Sequence, residues 1–507
     1  MTSGVKYCCG GFGLFLGVLV VIVVVRTFTF SVRTDQVAEC KNSDSDFIKL
    51  NDQILERFKK GLRIQTVSRD VDDISEQALV DIQNLIKKEY PIVHSSPLVT
   101  LDVVGNYSLL YTIQGTNTSL IPYLLASHLD VVPAQQENWD YPPFGAETHD
   151  GFIYARGTVD VKLGVFGILE SMEYLLSNGF KPKRTIYIGF GHDEEIGGSV
   201  GAFNIANKLE EKGINQLEYI IDEGLNVLDG LVPGLSKPSA LIGTSEKGQV
   251  ILRLKVKGKP GHSSMPPKES ALSILIQAVH RLETTPHPSM FGYGPEKDMF
   301  EHIASELSLP YRMLMSNLWL FSPLISRFLA MSPSTNAIVR TVTAVTMFQS
   351  GVKDNIIPED AVAIVNHRIH PAQSIQQVID YDRYIINDDR VTFEIKNSME
   401  PLPISPCDDN NLGYQMIKNS IRQVWTNSVV APGVMIGNTD TKHYIHLSNN
   451  IYRFTPSYMY PEDLPRFHGN NERISLLNYQ QAINFYYHLI KNTDAGLSPS
   501  HKHSVEL

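Results

Sequence analysis

Cysteine is scarce in this chain, and its scarcity excludes one class of fold. The 507 residues include four cysteines, and two of them, Cys8 and Cys9, lie in an apolar stretch near the N-terminus. The rest of the chain has Cys40 and Cys407, so at most one disulfide can form there, and the spacing leaves its formation open. A small fold held together by several disulfides is therefore excluded.

The chain also has fewer basic residues than acidic ones. The formal net charge is −10 at pH 7, and the sequence shows no internal repeat or long low-complexity tract. Because nucleic-acid binding depends on Lys and Arg that neutralise phosphates, the charge argues against a nucleic-acid partner. Hydrophobic residues make up 43% and charged residues 19% of the chain, a composition typical of folded proteins. A chain this long exceeds one ordinary core, so we expect two domains.

One long apolar run lies near the N-terminus and predicts targeting. It spans residues 8–25 and has a basic residue on each side. The run is longer than a typical signal-peptide core and close to the lower limit for a helix that spans a bilayer. We predict that residues 1–40 are the signal peptide of a secreted protein, with an uncut type II signal anchor as the alternative. Sequons at Asn106 and Asn117 agree with the secretory pathway and predict N-glycosylation.

Apolar spacing after the leader alternates between strand and helix patterns. The runs SLLYTIQG, YLLASHLDVV, RTIYIGFG and LEYIIDEG have the composition of strands, and the helical stretch GVFGILESMEYLLSNG lies between the second and the third. This alternation predicts an α/β domain with a mostly parallel sheet.

A second pattern begins near residue 247, where strand, helix, strand, helix and strand follow one another. It predicts a smaller α+β domain inserted into the larger one. Within it, the apolar segment 311–331 is expected to be a core or dimer-interface helix, with a wall for an acyl chain or a membrane surface as the alternative. The predicted divisions are 1–40 for the leader, 46–246 and 398–495 for the two parts of the larger domain, 247–397 for the inserted domain and 496–507 for a flexible tail.

Histidine and acidic side chains occur where several of the predicted strands end. His128 and Asp130 are two residues apart, so their side chains project to the same face. Glu194 and Glu195 follow the next strand, and Asp222 follows another. Ligands of α/β sheets bind beyond the carboxyl ends of the strands, so we expect these side chains to meet. Carboxylates crowded at one edge repel each other unless a cation holds them, which predicts a metal site.

The ligand types indicate which metal this is. Histidine and carboxylate without cysteine suit zinc in a hydrolytic site, and manganese or cobalt can substitute. A pair of metal ions needs a bridging carboxylate and a further histidine. Asp160 and His468 are candidates, although alone Asp160 has the position of a helix N-cap and His468 that of a solvated loop residue.

Six motifs in this order and at this spacing resemble the M20 metallopeptidase family: SHLDVVP, ARGTVDVKLG, GHDEEIGG, DEG, GKPGHSSMPP and HGNNE. The resemblance extends from about residue 46 to residue 495. It implies a zinc-peptidase catalytic domain of the α/β class with an inserted lid and dimerisation domain. It also implies two zinc ions bridged by Asp160. One ion would be completed by His128 and Asp222, and the other by Glu195 and His468.

The resemblance implies further roles beside the ligands. Asp130 is expected to orient His128, Glu194 to be the general base, and His262 to stabilise the transition state, often in the site of a partner subunit. Weaker expectations place Arg368 and Asn355 at the substrate carboxylate, because the lid strand has VNHRIHP where the family often has Asp-x-Arg. Packing or loop hydrogen bonds are expected for His192, Asp193 and Glu223.

The motifs GNTDTKHY and YRFTPSYMYPEDLPRFHG point to a branch of the family that acts on N-fatty-acyl amino acids. The resemblance thus implies a secreted amidohydrolase that hydrolyses these compounds and, in reverse, condenses fatty acids with free amino acids. Lipoprotein or membrane-surface association and a homodimer through the lid domain stay open. A carboxypeptidase or dipeptidase that acts on short peptides is the main alternative. A non-catalytic binding protein is disfavoured, because all the candidate ligands and the base are present.

Overall fold

The computed structural model describes residues 2–32 and 47–496. Cys40 lies outside the described residues, so its pairing with Cys407 stays open, and the predicted tail beyond residue 496 lies outside them too. Among the residues that the structure describes, no helix is long and apolar enough to cross a membrane.

The helices and strands are numbered in chain order. The helices are α1 Thr2–Thr29, α2 Asp52–Arg63, α3 Glu76–Glu89, α4 Pro91–Ser95, α5 Lys162–Ser177, α6 Ala202–Glu211, α7 Ala271–Thr284, α8 Glu296–Ala304, α9 Tyr311–Met315, α10 Leu318–Leu329, α11 Pro333–Val339, α12 Ile375–Ile386, α13 Leu412–Val424 and α14 Leu476–Ala495. The strands are β1 Ser68–Asp70, β2 Asp73–Ile74, β3 Val99–Val104, β4 Ser108–Ile113, β5 Tyr123–His128, β6 Glu147–His149, β7 Phe152–Tyr154, β8 Ile186–Gly191, β9 Ile220–Leu228, β10 Ser239–Glu246, β11 Gly248–Lys257, β12 Gly261–His262, β13 Val342–Ser350, β14 Ile356–Ile357, β15 Asp360–Ile369, β16 Thr392–Met399, β17 Val429–Met435, β18 Ile451–Met459 and β19 Arg473–Ser475.

An eight-stranded sheet forms the centre of the larger part of the molecule, in the order β17-β10-β18-β9-β5-β8-β4-β3. Its middle strands β18, β9, β5 and β8 run parallel to one another, and β4 and β3 continue the sheet with antiparallel pairing. The predicted α/β class with a mostly parallel sheet is confirmed.

Both faces of this sheet are covered by helices. Every residue of β5 is buried. Its Leu125 faces a core shared with α5 and α14, and its Leu124 faces a second core shared with α6. Strands buried on both faces have nearly continuous apolar runs, which explains why these segments lack a polar alternation. Each fully buried leucine stabilises the fold by roughly 1.5–3 kcal/mol.

A second, antiparallel sheet has the order β13-β15-β11-β16 and is built from residues 248–399. Buried and partly exposed side chains alternate along β11, because one face of the sheet packs on helices and the other does not. The buried face packs against α7 and α12. Both helices begin with a serine capping box, at Ser270 and Ser374.

The apolar segment 311–331 forms α9 and α10 beside the edge of the central sheet. One side of α10 is core, because Leu318 and Ile325 are buried in a cluster that includes residues of β10 and β17. The other side is exposed, with Trp319 at 54% and Phe328 at 60% of full exposure. The segment therefore combines a packed face with an apolar surface.

Candidate metal centre

The carboxylate of Asp160 lies between two imidazole rings. His128 ends β5, and its Nε2 is 3.2 Å from Oδ1 of Asp160. His468 lies in the loop before β19, and its Nε2 is 2.6 Å from Oδ2 of the same carboxylate. Each carboxylate oxygen thus faces a different histidine, which is the arrangement that a bridging ligand between two metal ions requires.

Two further carboxylates complete this cluster, one beside each histidine. Glu195 lies in the short 3-10 helix that follows β8, and its Oε2 is 3.4 Å from Nε2 of His468. Glu223 lies in β9, and its Oε1 is 3.2 Å from Nε2 of His128. Within this cluster, two groups have ligand atoms that all lie within 4.8 Å of one another, namely His128 with Asp160 and Glu195, and His128 with Glu194 and Glu223.

The sequence-based prediction placed Asp222 in the ligand set and left Glu223 out, and the Asp222 assignment stays a prediction. The two residues are neighbours in β9, and successive side chains of a strand point to opposite faces. Glu223 Oε1 lies 3.2 Å from Nε2 of His128. Asp222 accepts the main-chain N–H of Glu223 through Oδ1, and its buried Oδ2 has no hydrogen-bond partner among the described residues.

The surroundings of His128 fix which ring nitrogen faces the cluster. Its Nδ1 lies 2.9 Å from the main-chain carbonyl oxygen of Asp130 and 3.4 Å from Oδ1 of that residue. A carbonyl oxygen can only accept, so Nδ1 carries a proton, and Nε2 is the ring nitrogen that faces the cluster. This is the orientation that a metal-binding histidine needs.

Besides its contact with His128, Asp130 also binds the main chain of the next loop. Its carboxylate accepts the main-chain N–H groups of Glu194 at 3.1 Å and of Glu195 at 3.2 Å. The buried Asp130 side chain therefore fixes the turn that carries both glutamates. Their side chains diverge from this anchored turn, Glu195 toward His468 and Glu194 to 4.0 Å from Nε2 of His128.

A buried ion pair that the sequence analysis did not identify joins the loops of Asp160 and His468. Arg156 donates to Glu472 at 2.7 Å and to the main-chain carbonyl oxygens of His468 and Gly469. Glu472 in turn accepts the main-chain N–H of Asp160 at 3.2 Å. The peptide bond after Asp160 is cis. The motif HGNNE contained Glu472, but only the buried partners identify its task.

Burial and mutual repulsion set the protonation of the acidic cluster. Burial, reinforced by the charge of Glu223, holds the pKa of Glu194 well above its usual range. Burial also raises the pKa of Glu223 to about 8. Burial opposes ionisation of Asp160 too, but hydrogen bonds from His128 and His468 outweigh it and lower the pKa. Acids gathered in a site with little solvent retain their protons unless a cation compensates them, so this donor set fits bound metal.

A cavity of about 720 Å³ opens beside the cluster and reaches the second sheet. Its lining brings two cationic side chains, Arg368 and Lys442, to the same space as Glu194. Arg368 donates to Oδ1 of Asn438 at 2.5 Å, which fixes its direction. The apolar part of the lining consists of Ile196, Met399, Met435 and Phe467. The segment 311–331 contributes no residue to this lining.

The structure does not bring His262 and Asn355 to this cavity. Both are exposed and lie side by side, because β12 pairs with β14 and Ser263 N donates to the carbonyl oxygen of Asn355. The predicted role of Asn355 at the substrate carboxylate does not fit this position within one chain. Asn106 and Asn117 are exposed, so their sequons are accessible, and their glycosylation stays a prediction.

Known proteins similar to this chain cover nearly its whole length. It is 47% identical over 497 residues to the N-fatty-acyl-amino acid synthase/hydrolase PM20D1 of Xenopus tropicalis, covering 97% of this chain and 96% of that protein. The PM20D1 of Homo sapiens is 44% identical over 89% of this chain and 90% of its own length. A probable carboxypeptidase S-like 2 of Dictyostelium discoideum is 43% identical, covering 96% of this chain and 93% of that protein.

Solved structures show the same fold at low sequence identity. The M20 family metallo-carboxypeptidase Sso-CP2 from Sulfolobus solfataricus matches with a TM-score of 0.65 and 16% identity, over 88% of this chain and 100% of that one. Human carnosine dipeptidase 1 matches with a TM-score of 0.59 and 14% identity, over 88% of this chain and 96% of that one. The model of peptidase family M20/M25/M40 matches residues 124–492, most of the described chain. This chain belongs to peptidase family M20/M25/M40.

Proposed function

We propose that this protein is a metal-dependent amidohydrolase that hydrolyses N-fatty-acyl amino acids and, in reverse, condenses them from fatty acids and free amino acids. One observation carries the proposal: the Glu194 carboxylate lies beside the ligand cluster in a cavity that Arg368 also lines. A base, an electrophilic site and a carboxylate-binding cation are therefore within reach of one bound substrate. Relatives named as N-fatty-acyl-amino acid synthase/hydrolases, 44% to 48% identical, support the acyl specificity.

The proposed metal centre holds two zinc ions, with manganese or cobalt as substitutes. Asp160 would hold both ions, Glu195 and His468 would hold one, and His128 would hold the other together with Glu223, the alternative to the sequence-based Asp222. Bound metal ions would polarise the scissile carbonyl and lower the pKa of the attacking water.

The side chains then divide the remaining chemistry. Glu194 takes the proton of the attacking water and delivers it to the departing amine, and in the synthetic direction it removes a proton from the incoming amine. Arg368, joined by Lys442, binds the carboxylate of the amino acid through charge-assisted hydrogen bonds. His262 lies outside the cavity of its own chain, so we propose that it reaches the site of a second copy and stabilises the oxyanion there.

A carboxypeptidase or dipeptidase acting on short peptides is the second candidate, since a relative is named carboxypeptidase S-like. The relatives named N-fatty-acyl-amino acid synthase/hydrolase support the acyl substrate over a peptide. The test compares kcat/KM for N-oleoyl-phenylalanine with that for an N-blocked dipeptide ending in phenylalanine. We expect a preference of about tenfold or more for the oleoyl compound. A preference for the dipeptide would reject the lipid substrate, and activity that survives complete metal removal would reject the mechanism.

Secretion, through cleavage of the leader, and a homodimer formed through the second domain belong to the same proposal. The exposed apolar side of α10, with Trp319 and Phe328, supports association with a lipoprotein or membrane surface that supplies the lipid substrate. The partners in catalysis are small molecules: lipidated amino acids, fatty acids and free amino acids.

A further inference from the structure

A second group of metal-ligating side chains lies inside the smaller domain, remote in sequence from the catalytic motifs. His287 follows α7, His367 lies in β15 and Asp382 lies in α12. We call these three residues the lid cluster. Their side chains are at most 2% exposed, and each offers a ligand atom within 4.8 Å of the others.

The distances within the lid cluster are similar to those around Asp160 in the catalytic cluster. Nε2 of His287 is 3.2 Å from Oδ1 of Asp382, and Nε2 of His367 is 2.9 Å from Oδ2. The second pair does not form a hydrogen bond in spite of its short distance, and both of its atoms lack a hydrogen-bond partner among the described residues. A third species that binds both of these buried atoms would satisfy them.

The outer contact of His367 indicates what that species is. Its Nδ1 lies 3.0 Å from the hydroxyl oxygen of Thr343. If Nδ1–H donates to this hydroxyl, Nε2 directs a lone pair toward the carboxylate of Asp382. A lone pair and a carboxylate repel unless a cation lies between them. Burial opposes the ionisation of Asp382, but the two neighbouring imidazoles outweigh it and hold its pKa below the usual range, as a metal-binding carboxylate requires.

We propose that the lid cluster binds a divalent metal ion of the zinc class, separate from the catalytic centre. Two imidazoles and one carboxylate, with a water as the fourth ligand, satisfy the four-coordinate preference of zinc. The ion would tie together the segment after α7, the strand β15 and the helix α12. His367 is adjacent to Arg368, whose side chain takes the opposite face of β15 and lines the catalytic cavity. The ion therefore fixes the strand that positions a substrate-binding residue.

The direct test is a crystal structure of the full chain, purified with zinc and without chelator, with anomalous data on both sides of the zinc absorption edge. We expect a zinc peak between the two Nε2 atoms and the Asp382 carboxylate. Peaks at the catalytic centre and none at the lid cluster would show that the proposal is wrong. The lid cluster would then be an ion pair between Asp382 and a protonated imidazole, without metal.

A variant pair tests the same proposal in solution. Asp382→Asn keeps the shape of the side chain but removes its charge, and His280→Ala removes an exposed histidine of α7 as the control. Metal content after dialysis should fall by one equivalent per chain in Asp382→Asn and stay unchanged in His280→Ala. Equal metal content in both proteins would overturn the proposal. This test measures metal content rather than turnover, so its result does not depend on the proposed catalytic activity. If the Asp382→Asn protein does not fold, the anomalous peak in the native protein decides the question.

Discussion

Adjacent acidic residues have different tasks in this site because their side chains leave the backbone in different directions. Glu195 faces His468, while Glu194 faces the cavity. In β9, Glu223 Oε1 lies 3.2 Å from Nε2 of His128, while Asp222 is buried and accepts the next main-chain N–H. Repulsion between neighbouring carboxylates is therefore reduced by separation and by the cation that the cluster fits.

The assignment of Glu223 as a ligand is tested by a matched pair of isosteric variants. Glu223→Gln removes a charged ligand atom, so it should lower metal affinity by roughly 10–100-fold. Asp222→Asn should retain most of that affinity, because Asp222 does not contact the histidines. Metal titration of the chelator-treated proteins measures both. If Asp222→Asn loses the metal and Glu223→Gln keeps it, the sequence-based choice was right and the geometric one is wrong.

Arg368 is expected to act on the substrate carboxylate alone. Arg368→Ala removes a charge-assisted hydrogen bond, so kcat/KM for an N-acyl amino acid should fall roughly 10–100-fold. The corresponding N-acyl amino acid amide has no carboxylate, and its kcat/KM should change little.

The control for Arg368→Ala is Arg253→Ala, which removes an arginine of the same sheet. Arg253 forms a largely exposed ion pair with Glu394 at 3.1 Å and does not line the catalytic cavity. Equal losses on the acid and the amide in Arg368→Ala would show that Arg368 supports the fold rather than the substrate.

At the scale of elements, the site depends on two loops whose ligands Asp160 and His468 are 308 residues apart in the sequence. The loop of residues 155–160 carries Asp160, and the loop of residues 466–472 carries His468. The buried pair of Arg156 and Glu472 holds them together, with Nη1 and Oε2 2.7 Å apart. Residues distant in sequence thereby become ligands of one centre.

Glu472→Gln is predicted to weaken both the fold and the metal centre. It leaves the guanidinium of Arg156 buried without a counter-charge, which costs about 3 kcal/mol of unfolding free energy. Denaturant unfolding and metal titration should both report a loss. Glu462→Gln, at an exposed glutamate of the same region, is the control and should change neither. A Glu472→Gln protein with native stability and metal affinity would exclude this role for the pair.

Most residues of the candidate site could be predicted from the sequence, because they lie at the ends of strands and apolar runs show where strands end. His128, Asp160, Glu195 and His468 meet as expected. The choice between Asp222 and Glu223 depended on which way β9 faces, and a shift of one residue in register reverses every side chain of a strand. Motif patterns do not contain that register.

At the scale of the whole molecule, the cavity lies between the central sheet and the second sheet. Glu194 and His468 line it from the first, and Gln249 and Arg368 from the second. The order of strands and helices predicted the two sheets, but not how they face each other, because that depends on packing between residues far apart in the chain. The same limit applies to the lid cluster, whose members are separated by up to 95 residues.

The central claim is that Glu194 moves the proton while its neighbours hold the metal. Glu194→Gln keeps the size of the side chain and removes its basicity. We expect unchanged metal content and a fall in kcat/KM for N-oleoyl-phenylalanine of about 10²–10⁴-fold. Retained metal together with activity within a few-fold of the native protein would contradict the claim.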